Sequence, residues 1–207
     1  MQNYIAKYGA VSLSLSIAAF LLSMVCAGCC AHPDEYSCAY DPYGSAFPEM
    51  PPPIQHPVSY HAQDTMAWCW VAAAKMMVEY YTGQAAPEQC QMLEATHGAP
   101  CCSMTESCTR TGHIAEIQGL VYGSSGLFTT VAQPVTAGAL YDLLSFGPLV
   151  IHTNQGAGHF VVATGMWFMS SPAGPVAMVQ INDPYFGQYE VDYPSLASSW
   201  TAILHAM

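Results

Sequence analysis

The sequence predicts an α+β domain in which an N-terminal helical lobe packs on a C-terminal antiparallel β-sheet or small barrel. Helical patterns fill the middle of the chain, and short β-rich runs separated by Gly, Pro and Asn follow only after Gly147. Helices followed by strands, rather than alternating with them, are typical of this fold class. The length of 207 residues and the hydrophobic content of 52% allow one domain with a substantial core.

The first 28 residues have the pattern of an export signal. Lys7 precedes an apolar stretch, Ala10–Val25, which ends at the small residues Ala27 and Gly28. This stretch is shorter than the roughly 20 residues that a membrane-spanning helix needs. Residues 1–28 are therefore predicted to be a cleaved signal peptide, and the protein is predicted to be exported.

The residues around Cys29 leave two processing routes open. Ala27-Gly28-Cys29 resembles the bacterial lipobox, in which cleavage exposes a cysteine that carries a lipid. The mature protein is then either attached to the membrane at the cell envelope through a lipidated Cys29, or released as a secreted or periplasmic protein. Residues 29–58 are rich in proline and predict an extended tether or pro-region, with an ordered arm packed on the domain as the alternative. The domain itself is predicted at residues 59–207.

Three helices are predicted from apolar periodicity: Ala67–Tyr81, His113–Tyr122 and Thr136–Phe146. The first is nearly apolar all round, as expected of a helix inside a domain. Each is followed by a glycine typical of helix ends: Gly83, Gly123 and Gly147. Thr136 is the predicted N-cap of the third helix.

Four strands are predicted after the third helix from β-rich composition and flanking turn residues: Leu149–His152, Phe160–Thr164, Val176–Ile181 and Tyr189–Val191. His152, on the first of these strands, is interpreted as a histidine at the surface or at the rim of a cleft.

The charge balance excludes nucleic acid as a partner. Only 8% of the residues are charged, with 3 Lys and Arg against 14 Asp and Glu. A basic surface cannot be assembled from so few cations.

Four cysteines lie within nineteen residues and predict disulfides, which persist in an oxidising compartment: Cys90, Cys101, Cys102 and Cys108. The adjacent Cys101 and Cys102 are not expected to bond each other, which leaves two pairings open. Zinc is the competing interpretation, disfavoured because paired Cys-x-x-Cys motifs are absent from the sequence. No metal or cofactor is expected.

Cys69 stands at the start of the first predicted helix, where the positive end of the helix dipole favours the nucleophilic thiolate. Gln63, six residues upstream, has a side-chain amide that could join the Cys69 backbone N–H in binding an oxyanion. Gly158-His159 opens a predicted strand and supplies a candidate base. Asp183, before Pro184, ends the next strand as the candidate that orients this histidine, with Asn182 as the alternative.

Together these features resemble the papain-like cysteine peptidases, especially the short bacterial branch of staphopain-like and bacteriocin-leader-processing enzymes. The resemblance covers residues 60–200 and implies a two-lobed fold with a substrate cleft between Cys69 and the strands carrying His159 and Asp183. The Cys-Gly-Ser that precedes the nucleophile in papain is Met66-Ala67-Trp68 here. The interval from Cys69 to His159 is also shorter than in papain. Close kinship to papain is therefore not expected.

The expected function is that of an exported cysteine peptidase that hydrolyses peptide bonds through a Cys-His-Asp triad and a thioester. A peptide or protein substrate and a monomeric state are expected. Two alternatives stay open. One is a papain-like acyltransferase or deamidase of toxin type, and the other is a catalytically silent, disulfide-containing surface lipoprotein that binds a partner.

Overall fold

A computed structural model of the protein describes residues 50–207. The predicted signal peptide, Cys29 and the tether up to residue 49 lie outside the described residues. The helices are α1 (Cys69–Thr82), α2 (Gln89–His97), α3 (Thr105–Cys108), α4 (Ile114–Ser125), α5 (Ala137–Phe146) and α6 (Tyr193–Ala197). The strands are β1 (Ile54–Gln55), β2 (Thr129–Ala132), β3 (Leu149–Thr153), β4 (His159–Ser171), β5 (Gly174–Asp183), β6 (Gly187–Asp192) and β7 (Trp200–Ala206).

The strands form one antiparallel sheet in the order β2-β7-β3-β4-β5-β6, with β1 paired to β4. This confirms the predicted α+β class and the antiparallel sheet. The sheet is open, so the barrel alternative is wrong. The pairing of β4 with β5 places the start of β4 beside the end of β5, which is where the sequence has His159 and Asp183.

Helices cover both faces of the sheet. Val162 of β4 belongs to a core cluster with α1, α2 and α4, whereas its neighbour Val161 belongs to a second cluster with α5 and α6. Because successive residues of a strand point to opposite faces, a strand buried on both sides reads as a continuous apolar run. Strand β3, which begins Leu149-Val150-Ile151, shows the same pattern.

The predicted helices are present with small changes at their ends. Helix α1 ends before Gly83, which adopts a left-handed φ of 65° and donates its N–H to Glu79. Helix α4 continues through Gly123, and the glycine with the left-handed conformation is Gly126, at φ 72°. Thr136 caps α5 as predicted, since its side chain accepts the Ala139 N–H.

The last residues of the proline-rich segment pack on the domain. Ile54 pairs with Met166 of β4, the His56 N–H donates to the Thr164 carbonyl at 2.8 Å, and Val58 is buried. Extended, proline-rich chain can form so short an edge pairing because only a few of its N–H groups are needed in the ladder. Residues 54–58 therefore contact the sheet and the core directly.

Two disulfides join the clustered cysteines, Cys90 to Cys102 and Cys101 to Cys108. Each of the four sulfur atoms is therefore held in one of two disulfides and is unavailable as a thiolate ligand. The zinc interpretation is wrong. Cys69 is the free cysteine among the described residues. Within residues 50–207 the helices are too short or too polar to cross a membrane.

Candidate active site

Cys69 is the first residue of the buried helix α1 and is 7% exposed. The N–H groups in the first turn of a helix have no acceptor within the helix, so the Cys69 N–H is free to bind a ligand oxygen. The side chain borders a cavity of about 270 Å³, which is also lined by Gln63, Met66, His159, Tyr185 and Phe186.

The two tryptophans that flank Cys69 are held by one loop, residues 108–112. Trp68 Nε1 donates to the Cys108 carbonyl at 3.1 Å, and Trp70 Nε1 donates to the Arg110 carbonyl at 3.1 Å. The Arg110 guanidinium also lies 5.6 Å from the centre of the Trp70 ring, within the range of a cation–π contact. Because Cys108 is bonded to Cys101, a disulfide restrains the loop that holds both neighbours of the candidate nucleophile.

Gly112 lets the loop of residues 108–112 pack closely against the Trp70 ring. A Cβ at residue 112 would lie 2.2 Å from the nearest carbon of the Trp70 ring, so only glycine lets the loop approach the indole so closely. Sequence reasoning missed the loop because its carbonyls, rather than any distinctive side chains, make the hydrogen bonds.

His159 opens strand β4 and hydrogen-bonds Asp183, the last residue of β5. The distance from His159 Nε2 to Asp183 Oδ1 is 2.8 Å, and the Asp183 side chain is fully buried. With Nε2 directed at Asp183, Nδ1 is the ring nitrogen left to face the Cys69 thiol, which lines the same cavity. The structure thus brings together three side chains that are far apart in sequence.

The environment of His159 favours its protonated form. Burial by itself lowers the pKa of the imidazole, but the hydrogen bond with Asp183 and the interaction with Cys69 outweigh it and raise the pKa to about 9. Protonated His159 is therefore the main form of this residue at neutral pH.

Asp183 stays ionised although it is buried. Burial disfavours the carboxylate, but the hydrogen bond with His159 and those from the backbone N–H groups of Phe186 and Tyr185 lower its pKa. Oδ1 accepts these N–H groups at 3.0 and 2.8 Å, and the Tyr189 hydroxyl lies 3.4 Å from Oδ2. The carboxylate thus holds both the imidazole and the turn that follows β5.

Gln63 borders the same cavity as Cys69 and His159. Its backbone N–H donates to the Pro184 carbonyl at 3.0 Å, which connects the segment before α1 to the turn after β5. Its side-chain Nε2 donates to the Thr65 carbonyl at 2.8 Å and carries a second N–H that can bind another acceptor. Oε1 is buried and has no hydrogen-bond partner among the described residues.

Asn182, the alternative to Asp183, is directed elsewhere. Its Nδ2 donates to the Val58 carbonyl at 3.4 Å, and its Oδ1 accepts from Gln188 Nε2 at 2.8 Å. Its hydrogen bonds therefore link β5 to the N-terminal arm and to β6, and Asp183 is the residue that contacts His159.

His152 packs against Gly158, the glycine that precedes His159. A Cβ at Gly158 would lie 2.7 Å from His152 Nε2, and the φ of 103° at Gly158 also favours glycine. His152 Nδ1 hydrogen-bonds the Thr201 hydroxyl at 2.6 Å. His152 thus supports the start of β4, and glycine at residue 158 permits this close approach.

An open antiparallel sheet packed against a helix that begins at a buried thiol, with a histidine lining the same cavity, is the architecture of papain-like cysteine peptidases. Residues 53–199 match the family described as papain-like cysteine protease AvrRpt2, and the chain belongs to that family. The matched region contains Cys69, His159, Asp183 and Gln63. The predicted resemblance to papain-like enzymes and the prediction of a cysteine peptidase are confirmed.

Two solved structures have the same fold. One is a double glycine motif protease from an AMS/PCAT transporter in complex with the leader peptide, with 18% identity and a TM-score of 0.50, covering 74% of this chain and 96% of that chain. The other is the peptidase domain of Streptococcus ComA, a bi-functional ABC transporter involved in quorum sensing, with 15% identity and a TM-score of 0.51, covering 72% and 97%. A comparison with curated proteins found no match.

Proposed function

We propose that this cysteine peptidase is an exported enzyme that hydrolyses peptide bonds with Cys69 as nucleophile, His159 as general acid and base, and Asp183 as the residue that orients the imidazole. The observation that carries the proposal is the 2.8 Å bond from His159 Nε2 to the buried Asp183, on a ring that lines the same cavity as the Cys69 thiol. A thiol, a base and a group that fixes the base are the three parts that thiol acylation needs.

In the proposed first step, the Cys69 thiolate attacks the peptide carbonyl carbon. The carbonyl oxygen becomes an oxyanion, which accepts hydrogen bonds from the Cys69 backbone N–H and from the free N–H of Gln63 Nε2. As the C–N bond breaks, protonated His159 gives its proton to the leaving amine. The products are a thioester on Cys69 and a free amino terminus.

Water resolves the thioester in the second step. Neutral His159 takes a proton from the water as its oxygen attacks the thioester carbon. The C–S bond then breaks, which releases the carboxylic acid and restores the thiolate beside the protonated imidazole. Asp183 remains ionised throughout and keeps Nε2 protonated, so that Nδ1 faces the reacting atoms.

Peptide substrates are proposed because one structural neighbour was solved with a leader peptide. Export is proposed because residues 1–28 have the pattern of a signal peptide and because two disulfides favour an oxidising compartment. The intact mass of the exported protein tests this part. Loss of residues 1–28 supports it, an added diacylglycerol mass assigns membrane attachment at Cys29, and an uncleaved chain would contradict it.

Labelling with a peptidyl chloromethyl ketone tests the chemistry. We expect the label on Cys69, and we expect His159→Ala to slow labelling strongly because the imidazolium that stabilises the thiolate is lost. His205→Ala is the matched control, since His205 lies on β7 and its side chain hydrogen-bonds the neighbouring Ala206 carbonyl. Label on another residue, or equal rates in the two histidine variants, would refute the assigned roles.

The oxyanion donor has its own test. Gln63→Ala is expected to lower kcat by roughly 100- to 1,000-fold, the usual cost of removing one such donor. The products distinguish the alternatives: conjugates formed with an added amine, in place of hydrolysed fragments, would identify a transferase. An unreactive Cys69 in the folded, exported protein would identify the silent surface lipoprotein.

A further inference from the structure

Gln89, the first residue of α2, holds the backbone on both sides of Gln63. Its side-chain Nε2 donates to the Ala62 carbonyl at 2.6 Å, and its Oε1 accepts the Asp64 N–H at 3.2 Å. Because a carbonyl only accepts and a backbone N–H only donates, a single orientation of the amide satisfies both groups. The side chain thus pairs with this segment as a neighbouring strand would.

Gln89 is 3% exposed although its side chain is polar. Burying an amide is unfavourable unless its polar atoms have hydrogen-bond partners. The partners here are main-chain groups of the segment before α1. The burial of Gln89 therefore favours one position of that segment.

The two hydrogen bonds fix the two peptide planes that meet at the Gln63 Cα. The Ala62 carbonyl belongs to the plane before this atom, and the Asp64 N–H belongs to the plane after it. The Gln63 N–H, in the first of these planes, also donates to the Pro184 carbonyl at 3.0 Å. Since the two planes set φ and ψ of Gln63, they also set how its side chain enters the lining of the Cys69 cavity.

Gln89 is itself held firmly at the start of α2. The residue before it, Glu88, is the N-cap of α2 and accepts a hydrogen bond from Lys75 Nζ of the buried helix α1 at 3.0 Å. The residue after it, Cys90, is bonded to Cys102. A group supported by such an element keeps its position more precisely than one on an unrestrained loop.

The position of the Gln63 side chain matters for the proposed chemistry. The free N–H of Gln63 Nε2 is proposed to donate to the oxyanion, and such a donor must lie about 2.7–3.1 Å from the place where the oxygen becomes charged. A misplacement of about 1 Å can cost roughly 100-fold in rate. Whatever fixes the backbone of Gln63 therefore affects the rate of acylation.

We propose that Gln89 is a positioning residue that sets the oxyanion donor Gln63 for acylation of Cys69. This role rests on the proposed function, which assigns the oxyanion to Gln63. Gln89 lies outside the lining of the Cys69 cavity, so it acts through Gln63 and does not contact the substrate.

Two reactions of Cys69 in the full exported protein test this role. In acylation by p-nitrophenyl acetate, the thiolate attacks the ester carbonyl, an oxyanion forms, the C–O bond breaks and p-nitrophenolate leaves a thioester on Cys69. In alkylation by iodoacetamide, the thiolate displaces iodide at a saturated carbon and no oxyanion forms. Gln89→Met keeps the size of the side chain without its amide. We expect it to slow acylation, measured as the burst of p-nitrophenolate, by roughly 10- to 100-fold and to leave alkylation unchanged.

The Gln63→Ala background shows whether Gln89 acts through Gln63. Adding Gln89→Met to Gln63→Ala should change the acylation rate by no more than about twofold, because the donor that Gln89 positions is already gone. Gln118→Ala is the matched control, since the Gln118 amide also donates to a main-chain carbonyl, that of Thr129 at 2.9 Å, and lies outside the lining of the Cys69 cavity. This variant should match the wild type in both reactions.

Three results would overturn the role of Gln89. One is acylation by Gln89→Met at the wild-type rate. Another is an equal loss of acylation and alkylation, which would mean that the variant disturbs Cys69 and His159 themselves. The third is a full further loss when Gln89→Met is added to Gln63→Ala, because Gln89 would then act independently of the donor.

Gln89→Glu carries the same comparison if Gln89→Met does not fold. Its carboxylate keeps the length of the side chain and an acceptor for the Asp64 N–H, and it loses the donor to the Ala62 carbonyl, so acylation should again fall more than alkylation. Failure of the proposed function gives a different result. A wild-type protein that is acylated and alkylated at Cys69 but cleaves no peptide would overturn the peptidase, while the ratio of the two rates would still decide the role of Gln89.

Discussion

Replacing Asp183 by asparagine removes one negative charge from the buried site and keeps its shape. The asparagine side chain retains a carbonyl oxygen that can accept the N–H groups of Tyr185 and Phe186, which Asp183 Oδ1 binds at 2.8 and 3.0 Å. Its bond to His159 becomes a neutral one. Asp183→Asn therefore tests what the charge does to His159, whereas Asp183→Ala would also leave buried donors unpaired.

The size of the effect follows from the pKa of His159. The rise from 6.5 to about 9 corresponds to roughly 3 kcal/mol in favour of the protonated imidazole. Asp183 and Cys69 both contribute to this rise. A hydrogen bond to a charged group contributes about 1.5–3 kcal/mol, so loss of the Asp183 charge should lower the pKa of His159 by about 1 to 2. The equilibrium constant for forming the thiolate–imidazolium pair from the neutral thiol and imidazole should then fall by roughly 10- to 100-fold.

The assay is the rate of Cys69 alkylation by iodoacetamide as a function of pH. In the wild type, we expect the pH–rate profile to show the loss of the His159 proton near pH 9. In Asp183→Asn, we expect this transition to move toward neutral pH. Asp192→Asn is the matched control, because Asp192 caps α6 through the Ser195 N–H and asparagine caps helices equally well. An Asp183→Asn profile that superimposes on the wild-type profile, in a variant with unchanged urea unfolding, would refute the reasoning.

Three further predictions concern stability and can be measured by urea denaturation. Because the pKa of His159 is raised in the folded state, its contribution to stability is fully present below pH 6.5 and is lost as the pH rises through about 9. The free energy of unfolding should thus fall across this window, and a flat profile would contradict the raised pKa. Replacing Cys101 and Cys108 together by serine should lower the free energy of unfolding by about 2–3 kcal/mol, because the unfolded chain is no longer restrained by a closed loop. An unchanged urea midpoint would show that this disulfide does not contribute to stability. Gly112→Ala should cost about 1–3 kcal/mol because its Cβ overlaps the buried indole ring. Gly119→Ala, inside α4 with nothing within 4 Å of the added Cβ, should instead stabilise the protein by about 0.5–1 kcal/mol, and a similar loss in both variants would refute the close-packing explanation.

The fold class and the main elements could be predicted because their signals are local. The apolar run that forms α1 is recognised by its composition and by the Gly83 that follows it, and the β-rich runs at β3 to β6 are recognised by their composition and by the turn residues around them. Strand β1 has only two residues, and its pairing with β4 depends on tertiary contact. Strand β7 was missed because Trp200–Ala206 has no turn signal after it and mixes polar with apolar residues.

The site could be predicted in part for the same reason. Cys69, His159 and Asp183 stand at ends of elements, where side chains converge in space, and the structure places them together. The roles of Arg110 and Gly112 depend on a loop that crosses from the disulfide region to α1, and no spacing in the sequence encodes this crossing. The contact of Gln89 with the backbone around Gln63 likewise joins segments that are far apart in sequence.

The candidate nucleophile and the loop of residues 108–112 that holds its two neighbours require cysteines in opposite redox states. Cys69 reacts only as a free thiol, while the segment that holds Trp68 and Trp70 on either side of it is restrained by an oxidised Cys101–Cys108 pair. Dithiothreitol added to reduce an oxidised Cys69 would, at higher concentration, also reduce the Cys101–Cys108 disulfide. Purified protein should therefore show an optimum reductant concentration, rather than activity that simply increases with added thiol.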